Sequence, residues 1–500
     1  MIGGPEMARM MVRRTHLPIL LTWALFAITI TPAAAIIGYE TRITSGTSQH
    51  TWPAISGDLI AYEDDRSGTV DIYVYNITTG TEKRLTDQAG EHYWPKIYGD
   101  RLVWWDDRYG NFDIFLSNIS TGVETRITTD PRNQENADLF GDRIVWMDRR
   151  SGNFDTFLYN TTTGVETRIT SDIADQWEPQ IWDDRIIWMD NRSNPGYDPS
   201  YQYFDIYTYD ISTGTERPIT TQGWAWYGGI SGNRAVWSQW RPDASPNEQI
   251  YLYDFATGTE TRITSDASNH WYPKIFGDRV VWEDDRNGAE ANWDIFLYNI
   301  TTDLQEQVTS NPSAQWNPAI WEDRIVYEDY RDGNSQIFLY TVITRPVAQF
   351  TSDVAVGYAP LAVKFSDTTP GNVTGWLWDF GDGSTSSLRN PTHTYPSPGS
   401  YTVTLTATNA AGTGSISKDV YITVSLGIVP LPGYSRSPTD PDTDGIYEDL
   451  DGDGRLSFND VVVLFRNMEW IGEKEPVACF DLNGNGRIDF DDVVRLFREL

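Results

Sequence analysis

A unit of about 45 residues recurs seven times between residues 36 and 345. The consensus of the copies begins with Trp-Pro-x-Ile and ends with Glu-Thr-Arg-Ile-Thr, and it contains four short segments in which aromatic or β-branched residues alternate with polar ones. Gly-Asp and Thr-Gly pairs separate the segments, as expected of turns. The proline column fixes the register of the copies: Pro53, Pro95, Ala137, Pro179, Gly228, Pro273 and Pro318. Four antiparallel strands per copy predict a mainly β fold.

The ends of the repeat region predict how it closes. Seven first strands are followed by only six last strands, which begin at Glu82, Glu124, Glu166, Glu216, Glu260 and Gln305. A seventh last strand, residues 40–44, precedes the first copy, and the final copy lacks its own. We therefore expect the N-terminal strand to complete the last sheet of a seven-bladed β-propeller over residues 36–345, because closure removes exposed sheet edges. The Asp-Ile-Tyr-x-Tyr segments resemble those of TolB-like propellers, a family that usually has six blades.

Two charged columns repeat with the strands. The acidic column contains Asp64, Asp106, Asp148, Asp190, Gln239, Asp284 and Asp329. The basic column, two residues later, contains Arg66, Arg108, Arg150, Arg192, Arg241, Arg286 and Arg331. Because a catalytic site requires a unique constellation, the repeated Asp-x-Arg predicts ion pairs that stabilise a turn within each sheet.

A third column lies three residues before each proline position. It contains His50, His92, Gln134, Gln176, Ala225, His270 and Gln315. Since this column opens the strand that lines the centre of a propeller, the three histidines are candidate ligands of a transition metal or of another ligand at one opening. The alternative is a ring of hydrogen bonds between neighbouring sheets, in which Gln and His are interchangeable.

The fourth and fifth copies break the pattern. The fourth has an insertion at residues 194–203, and the fifth replaces the Asp-rich turn with a Trp-containing one. Breaks in a repeat are places where function is added, and exposed aromatic rings can stack on a sugar or a peptide. Trp224, Trp226 and Trp240 are therefore candidate ligand-binding residues, the alternative being that they fill core positions.

The N-terminus has the pattern of an export signal. Arg9, Arg13 and Arg14 precede an apolar run at residues 17–30, which is short for a membrane span, and an Ala-Ala-Ala sequence follows at residues 33–35. We expect residues 1–35 to be a cleaved signal peptide, the alternative being an uncleaved anchor. The chain has one cysteine, Cys479, so intrachain disulfides are excluded.

Residues 346–425 differ in composition from the repeats. Ser, Thr and Gly become frequent, and the segment contains Trp-Asp-Phe-Gly-Asp-Gly at 378–383 and Pro-Thr-His-Thr-Tyr at 391–395. These motifs resemble those of polycystic-kidney-disease-type (PKD) domains, which implies an immunoglobulin-like β-sandwich that acts as an extracellular spacer or adhesion module. We expect Trp378 to lie in its core and His393 to be a structural residue.

Two twelve-residue segments near the C-terminus have the spacing of calcium loops. Acidic or amide residues stand at positions 1, 3 and 5, Gly at 6 and Asp at 12, so that oxygen ligands converge on a hard cation. The first predicted set is Asp449, Asp451, Asp453, Arg455 through its carbonyl, Ser457 and Asp460. The second is Asp481, Asn483, Asn485, Arg487 through its carbonyl, Asp489 and Asp492. An apolar helical run follows each loop.

The duplicated loop and helix, with Asp at position 12, resembles a type I dockerin over residues 439–500, after a linker at 426–438. The resemblance implies Ca²⁺-dependent folding into a small EF-hand-like α-helical module and docking to a cohesin-type scaffold protein. Positions 10 and 11 depart from the family, because Phe458-Asn459 and Phe490-Asp491 stand where dockerins often carry small hydroxyl residues. The alternative is a calcium-stabilised cap without a partner. Upstream, Asp440, Asp442, Asp444 and Glu448 form a possible third calcium loop, which would require Asp451 to serve two sites.

The formal charge of −33 argues against nucleic acid and against an anionic membrane surface as partners. We expect a secreted or cell-surface binding and assembly protein that is not catalytic. Its propeller would present a face for a glycan or protein ligand, and its dockerin would attach it to a scaffold. A second hypothesis is a dockerin-bearing extracellular enzyme that acts on polysaccharide, and a third is a structural surface-layer protein. The sequence contains no Gly-x-Ser-x-Gly or His-Glu-x-x-His motif.

Overall fold

The structure is a computed structural model. It describes residues 37–193, 203–242, 245–287, 292–425 and 427–500. The expected signal peptide and almost all of the insertion at 194–203 lie outside the described residues.

The repeats form seven four-stranded antiparallel sheets in the part of the chain that the structure describes. Sheets 1 to 4 consist of His50–Ser56, Leu59–Asp64, Asp71–Asn76 and Thr81–Arg84; His92–Tyr98, Arg101–Asp106, Asp113–Asn118 and Val123–Arg126; Gln134–Phe140, Arg143–Asp148, Asp155–Asn160 and Val165–Arg168; and Gln176–Trp182, Arg185–Asp190, Asp205–Asp210 and Thr215–Pro218. Sheets 5 to 7 consist of Ala225–Ser231, Arg234–Gln239, Gln249–Asp254 and Thr259–Arg262; His270–Phe276, Arg279–Asp284, Asp294–Asn299 and Leu304–Gln307; and Gln315–Trp321, Arg324–Asp329, Gln336–Ile343 and Ile37–Arg42.

Sheet 7 joins the two ends of the repeat region. Ile37–Arg42 pairs antiparallel with Gln336–Ile343, with Ile37 opposite Ile343 and Arg42 opposite Phe338. The predicted closing pair is therefore confirmed, and the edge that the last repeat would expose is covered.

The cores lie between neighbouring sheets. A fully buried aromatic residue occupies the same position in the second strand of every sheet: Tyr62, Trp104, Trp146, Trp188, Trp237, Trp282 and Tyr327. Each stacks on an aromatic residue of the third strand, for example Trp146 on Phe157 at a centroid distance of 5.9 Å. Burial of these rings supplies much of the driving force for folding.

Each first strand contains a bulge at the residue before the proline position. This residue has a left-handed backbone, with φ between 50° and 53° in all seven sheets. The seven residues are Trp52, Trp94, Asn136, Glu178, Tyr227, Tyr272 and Asn317. Bulges redirect side chains, so these residues point differently from a regular strand.

Residues 350–425 form two packed sheets. One contains Phe350–Ser352, Leu361–Asp367 and Thr392–Tyr395; the other contains Val356–Tyr358, Gly412–Ser425, Gly399–Asn409, Gly375–Asp379 and Thr385–Ser386. Trp378 is fully buried between them, and its indole N–H donates to the Leu388 carbonyl at 2.9 Å, as predicted for a core residue. His393 stacks on Phe380 at 4.2 Å and lies 2.7 Å from Asp382, which confirms its structural role.

The C-terminal module is helical. Helix α1 spans Phe458–Lys474, a short 3₁₀ turn spans Val477–Cys479, and helix α2 spans Phe490–Glu499. Leu464 and Leu496 pack in a shared apolar core with Leu450 and Phe480. Each helix follows one of the two predicted loops.

Candidate functional site

The charged columns of the propeller are structural. Each column arginine contacts the acidic or amide residue two positions earlier, as Arg150 does with Asp148 at 2.6 Å. Each also lies over an aromatic ring of the third strand, at 4.3 Å from the ring centre for Arg150 and Phe157. The predicted turn-stabilising pairs are confirmed.

The histidine column does not form a metal centre. His50, His92 and His270 are fully buried, and each Nδ1 lies near a backbone carbonyl of the preceding sheet, at 3.3, 3.0 and 2.9 Å. The opposite nitrogen faces the acidic column of the same sheet, as in His50 and Asp64 at 3.0 Å. The histidines are therefore separated inside different sheet interfaces. Treating them as ligands at one opening was wrong, because the column points between the sheets.

The tryptophans of the fifth repeat lie together. Trp224 packs edge-to-face on Trp226 and on Trp240, with centroid distances of 6.2 and 5.3 Å. All three are half-buried, and the Trp240 N–H donates to the Pro246 carbonyl at 3.0 Å. The cluster thus partly fills a core and partly faces solvent.

The first predicted calcium loop brings three carboxylates together. Oxygens of Asp449, Asp451 and Asp453 lie within 4.8 Å of one another. Gly454, with φ of 87°, permits the turn and donates its N–H to Asp449 Oδ2 at 2.8 Å. Asp460, at position 12, is fully buried and accepts the Leu450 N–H at 2.8 Å.

The remaining predicted ligands of this loop take other positions. Ser457 caps the N-terminus of α1 and accepts the Asn459 N–H at 3.1 Å, in a capping box with Asp460. Arg455 donates its backbone N–H to Asp453 at 2.9 Å, and its side chain is exposed. The loop and the start of the helix are therefore built as one unit.

The second loop repeats this geometry. Asp481 Oδ1 accepts the Asn485 N–H at 3.0 Å, and Asn483 donates its N–H to Asp492 at 3.1 Å. Asp489 caps α2 in a capping box with Asp492. Arg487 donates its N–H to Asn485 at 2.9 Å, as Arg455 does to Asp453 in the first loop.

The upstream acidic residues form a separate group. Oxygens of Asp440, Asp442, Asp444 and Glu448 lie within 4.8 Å of one another. Asp451 groups with Asp449 and Asp453 and not with these four residues, so a third ion site here would not require Asp451 to serve two sites. Burial, reinforced by the neighbouring aspartates, raises the pKa of Glu448 to about 7.

These donor sets suit a hard cation. The first loop and the upstream group supply only carboxylate oxygens, and the second loop adds amide oxygens; both are ligands that Ca²⁺ prefers. Burial also raises the pKa of Asp460 and Asp492, so a cation beside them would offset an electrostatic cost.

The two helices share an exposed aromatic face. Phe458 meets Phe497, and Phe465 meets Phe490, each pair edge-to-face at a centroid distance of 6.1 Å. All four rings are more than half exposed, between 53% and 61%. Phe458 and Phe490 were noted in the sequence as departures from the dockerin pattern, whereas a role for Phe465 and Phe497 was not predicted. The repeated Leu-Phe-Arg sequence of the two helices was the signal for them.

A family model described as PKD domain matches residues 343–424, so this segment is a PKD domain. The pre-pro-metalloprotease PrtV of Vibrio cholerae is 43% identical over 67 residues, which are 13% of this chain and 7% of that protein. The collagenase ColA of Bacillus cereus is 52% identical over 42 residues, 8% of this chain and 4% of that protein. The chain thus spans less than a tenth of the length of these relatives.

Solved structures resemble the repeat region. An oligogalacturonate lyase in complex with manganese is 14% identical with a TM-score of 0.45, over 62% of this chain and 96% of that chain. The β-propeller domain of the Trilobed protease from Pyrococcus furiosus is 12% identical with a TM-score of 0.47, over 59% and 94%. TolB from Acinetobacter baumannii is 15% identical with a TM-score of 0.33, over 59% and 79%.

Among the described residues, neither α1 nor any other helix has the length and apolar character required to cross a membrane.

Proposed function

We propose that this chain is a secreted or cell-surface binding and assembly protein that is not catalytic. It attaches to a cohesin-like scaffold protein through a Ca²⁺-dependent, dockerin-like module, and a seven-bladed propeller presents the ligand face. The observation that carries the proposal is the exposed face formed by Phe458, Phe465, Phe490 and Phe497. These residues lie on two helices, each of which begins within one of the two acidic loops.

Calcium would act on the docking face through the helix starts. Asp460 and Asp492 close their loops at position 12 and also belong to the capping boxes of α1 and α2. Fixing these residues fixes where each helix begins, and Phe458 and Phe490 are the first residues of the helices. Loss of the ions would therefore loosen the pairing of the four rings.

The phenylalanine face has the chemistry of a protein interface. Exposed aromatic rings that are clustered on one surface are enriched in contacts between proteins. The two ring pairs are equivalent, since each joins the first residue of one helix to the phenylalanine seven residues after the first residue of the other. A partner protein with an apolar surface would bury these rings most completely.

The propeller supplies the second binding surface in this proposal. The cluster of Trp224, Trp226 and Trp240 lies where the fifth repeat departs from the others, and Trp271 and Trp316 are exposed by 37% and 38%. Partly exposed indole rings suit a glycan or a protein ligand. The PKD domain would separate the two binding surfaces.

The full chain tests the proposal. It is immobilised and exposed to the organism's own envelope and extracellular fraction, with Ca²⁺ or with a chelator. We expect a partner that is retained only with Ca²⁺ and is lost when Phe458 and Phe465 are both replaced by Ser. The matched control is Leu388→Ser, which changes a side chain that is 65% exposed in the PKD domain. Capture that persists in chelator, or that is lost equally in the control, would reject the docking role.

A further inference from the structure

The first strands of the seven sheets surround a cavity of about 200 Å³. Two layers of residues face it. The outer ring is formed by the left-handed bulge residues of six sheets, all except Tyr227 of sheet 5, and the inner ring lies two residues further along each strand. The inner ring is Ala54, Lys96, Asp138, Gln180, Gly229, Lys274 and Ala319. Unlike the proline and Asp-x-Arg columns, this ring differs from sheet to sheet, so the cavity is asymmetric.

Five aromatic rings lie around the axis beyond one end of the cavity. They occupy the last position of the first strands of five sheets: Tyr98, Phe140, Trp182, Phe276 and Trp321. Each ring contacts the next in a complete cycle, with centroid distances of 4.5, 4.8, 5.7, 4.7 and 5.9 Å. The cycle surrounds the axis and narrows the space between the sheets at this end.

Two lysines of the inner ring are without acceptors. In the described part of the chain, neither Lys96 nor Lys274 has a hydrogen bond or an ion pair. Both are half-buried and enclosed by the pocket wall. Burial, and then the Lys96 ammonium, lower the pKa of Lys274 to about 8, which indicates that the two cations are close enough to repel each other. Glu178 and Asp138 offset part of this repulsion, and an anion between the two lysines would offset more of it.

The space beside the lysines is free. Sheets 7 and 1 lie between sheets 6 and 2 around the axis, and their inner-ring residues are Ala319 and Ala54, which carry only methyl groups. Asp138, in the same ring, accepts the Ile181 N–H at 3.0 Å and lies close enough to both lysines for their charges to interact. The inner ring thus offers two ammonium donors, together with one carboxylate that can accept further hydrogen bonds.

The outer ring adds flat surfaces and one further acceptor. Trp52 and Trp94 lie 4.6 Å apart, and Tyr272, which lines the cavity, stacks on Tyr227 at 4.0 Å. Glu178 lines the cavity in the same ring. Aromatic faces favour the C–H surface of a ring, and a carboxylate accepts hydroxyl protons.

We infer that this pocket binds a small hydroxylated organic anion, with its acid group between Lys96 and Lys274 and its body against the aromatic outer ring. The acid is a carboxylate or a phosphoryl group, since both accept charge-assisted hydrogen bonds from ammonium groups. A volume of 200 Å³ is below the range of about 300–1,000 Å³ for drug-sized ligands, so the occupant is the size of a single sugar ring. This site is independent of the proposed docking module.

Titration of the full chain by calorimetry tests the inference. The probes are D-glucuronate, D-glucose 6-phosphate and neutral D-glucose. We expect one or both anions to bind and D-glucose to bind at least about tenfold more weakly, because hydrogen bonds to charged groups contribute that much. Binding of one anion alone identifies the acid group as carboxylate or phosphoryl.

Two variants and a control assign the contact. Lys96→Met and Lys274→Met keep the aliphatic stem, and each should weaken anion binding at least about tenfold. They are made separately and their unfolding is measured, so that a folding failure in one leaves the other informative. The control is Lys83→Met, since Lys83 is exposed and donates only to the Ile119 carbonyl at 3.3 Å. The inference is overturned if neither anion binds at about 10 mM, if D-glucose binds as well, or if Lys83→Met weakens binding equally.

Discussion

Glu40 holds the two ends of the propeller together. It lies in the N-terminal strand of sheet 7, and its Oε1 and Oε2 accept Arg331 Nη1 and Nη2 at 2.7 and 2.9 Å. The Tyr327 hydroxyl donates to Oε2 at 2.6 Å. Replacing Glu40 by Gln keeps the shape but removes the charge and turns one acceptor into a donor that faces the guanidinium.

The size of the effect follows from the exposure of the pair. Hydrogen bonds to charged groups contribute about 1.5–3 kcal/mol when buried, and exposed ion pairs about 0.2–1 kcal/mol. The Glu40 and Arg331 side chains are 33% and 25% exposed, which places them between these limits. We therefore expect Glu40→Gln to cost about 1.4 kcal/mol, which is about tenfold in the equilibrium for release of the strand.

Sheet 1 offers a matched control. Glu82 accepts Arg66 Nη1 at 2.7 Å and is also bonded to the Tyr62 hydroxyl, but all of these residues belong to one continuous repeat. Hydrogen exchange by mass spectrometry follows the amides of residues 37–42. Glu40→Gln should speed their exchange about tenfold, and Glu82→Gln should leave it unchanged. If both variants speed exchange of these amides equally, or if Glu40→Gln does not speed it, the Glu40–Arg331 contact does not hold the N-terminal strand in sheet 7.

Three other outcomes are expected. Burial raises the pKa of Glu283 to about 8, so its contribution to stability is complete below pH 4.5 and is lost as the pH rises to about 8. The fall in Tm from pH 5 to pH 8 should therefore be smaller in Glu283→Gln than in the unaltered protein. An equal fall in both proteins would contradict this. Ca²⁺ at a hundred times the Kd of a loop should stabilise the C-terminal module by about 2.7 kcal/mol for each occupied loop. Asp449→Ala should remove the share of the first loop, measured by calorimetry, and leave that of the second; an undiminished gain would exclude the first loop. Trp146→Ala should cost about 3–5 kcal/mol in urea unfolding, because it empties a fully buried position; a loss below about 1 kcal/mol would show that the sheets repack.

The repeat allowed the strands and their closure to be predicted because both depend on local pattern. Alternation identified each strand, and the unequal number of first and last strands required an N-terminal strand, predicted at residues 40–44 and found at Ile37–Arg42, to pair with the last repeat. The ion pairs of the Asp-x-Arg columns were predictable for the same reason, since their partners are two residues apart.

The direction of each column was not predictable. His50 and Ala54 belong to the same strand, but a bulge at Trp52 separates them. The bulge changes the alternation, so counting by two from the proline does not show which residues face the axis. The histidines were therefore assigned to an opening that the residues of the inner ring occupy. The pairing of Phe465 with Phe490 also depends on the packing of two helices, which the spacing of residues within each helix does not give.

Symmetry explains why the pocket and the phenylalanine face stand out once the structure is known. A residue that repeats in every sheet meets the same neighbours seven times, and its role is to hold a sheet or an interface together. The inner ring lies where the first strands of all seven sheets meet, so residues of different repeats face a common space there. Ala, Gly, Gln, Asp and Lys all occupy this ring, so the repeat does not fix its side chains. Function can therefore be added at the axis without disturbing the contacts that build the sheets.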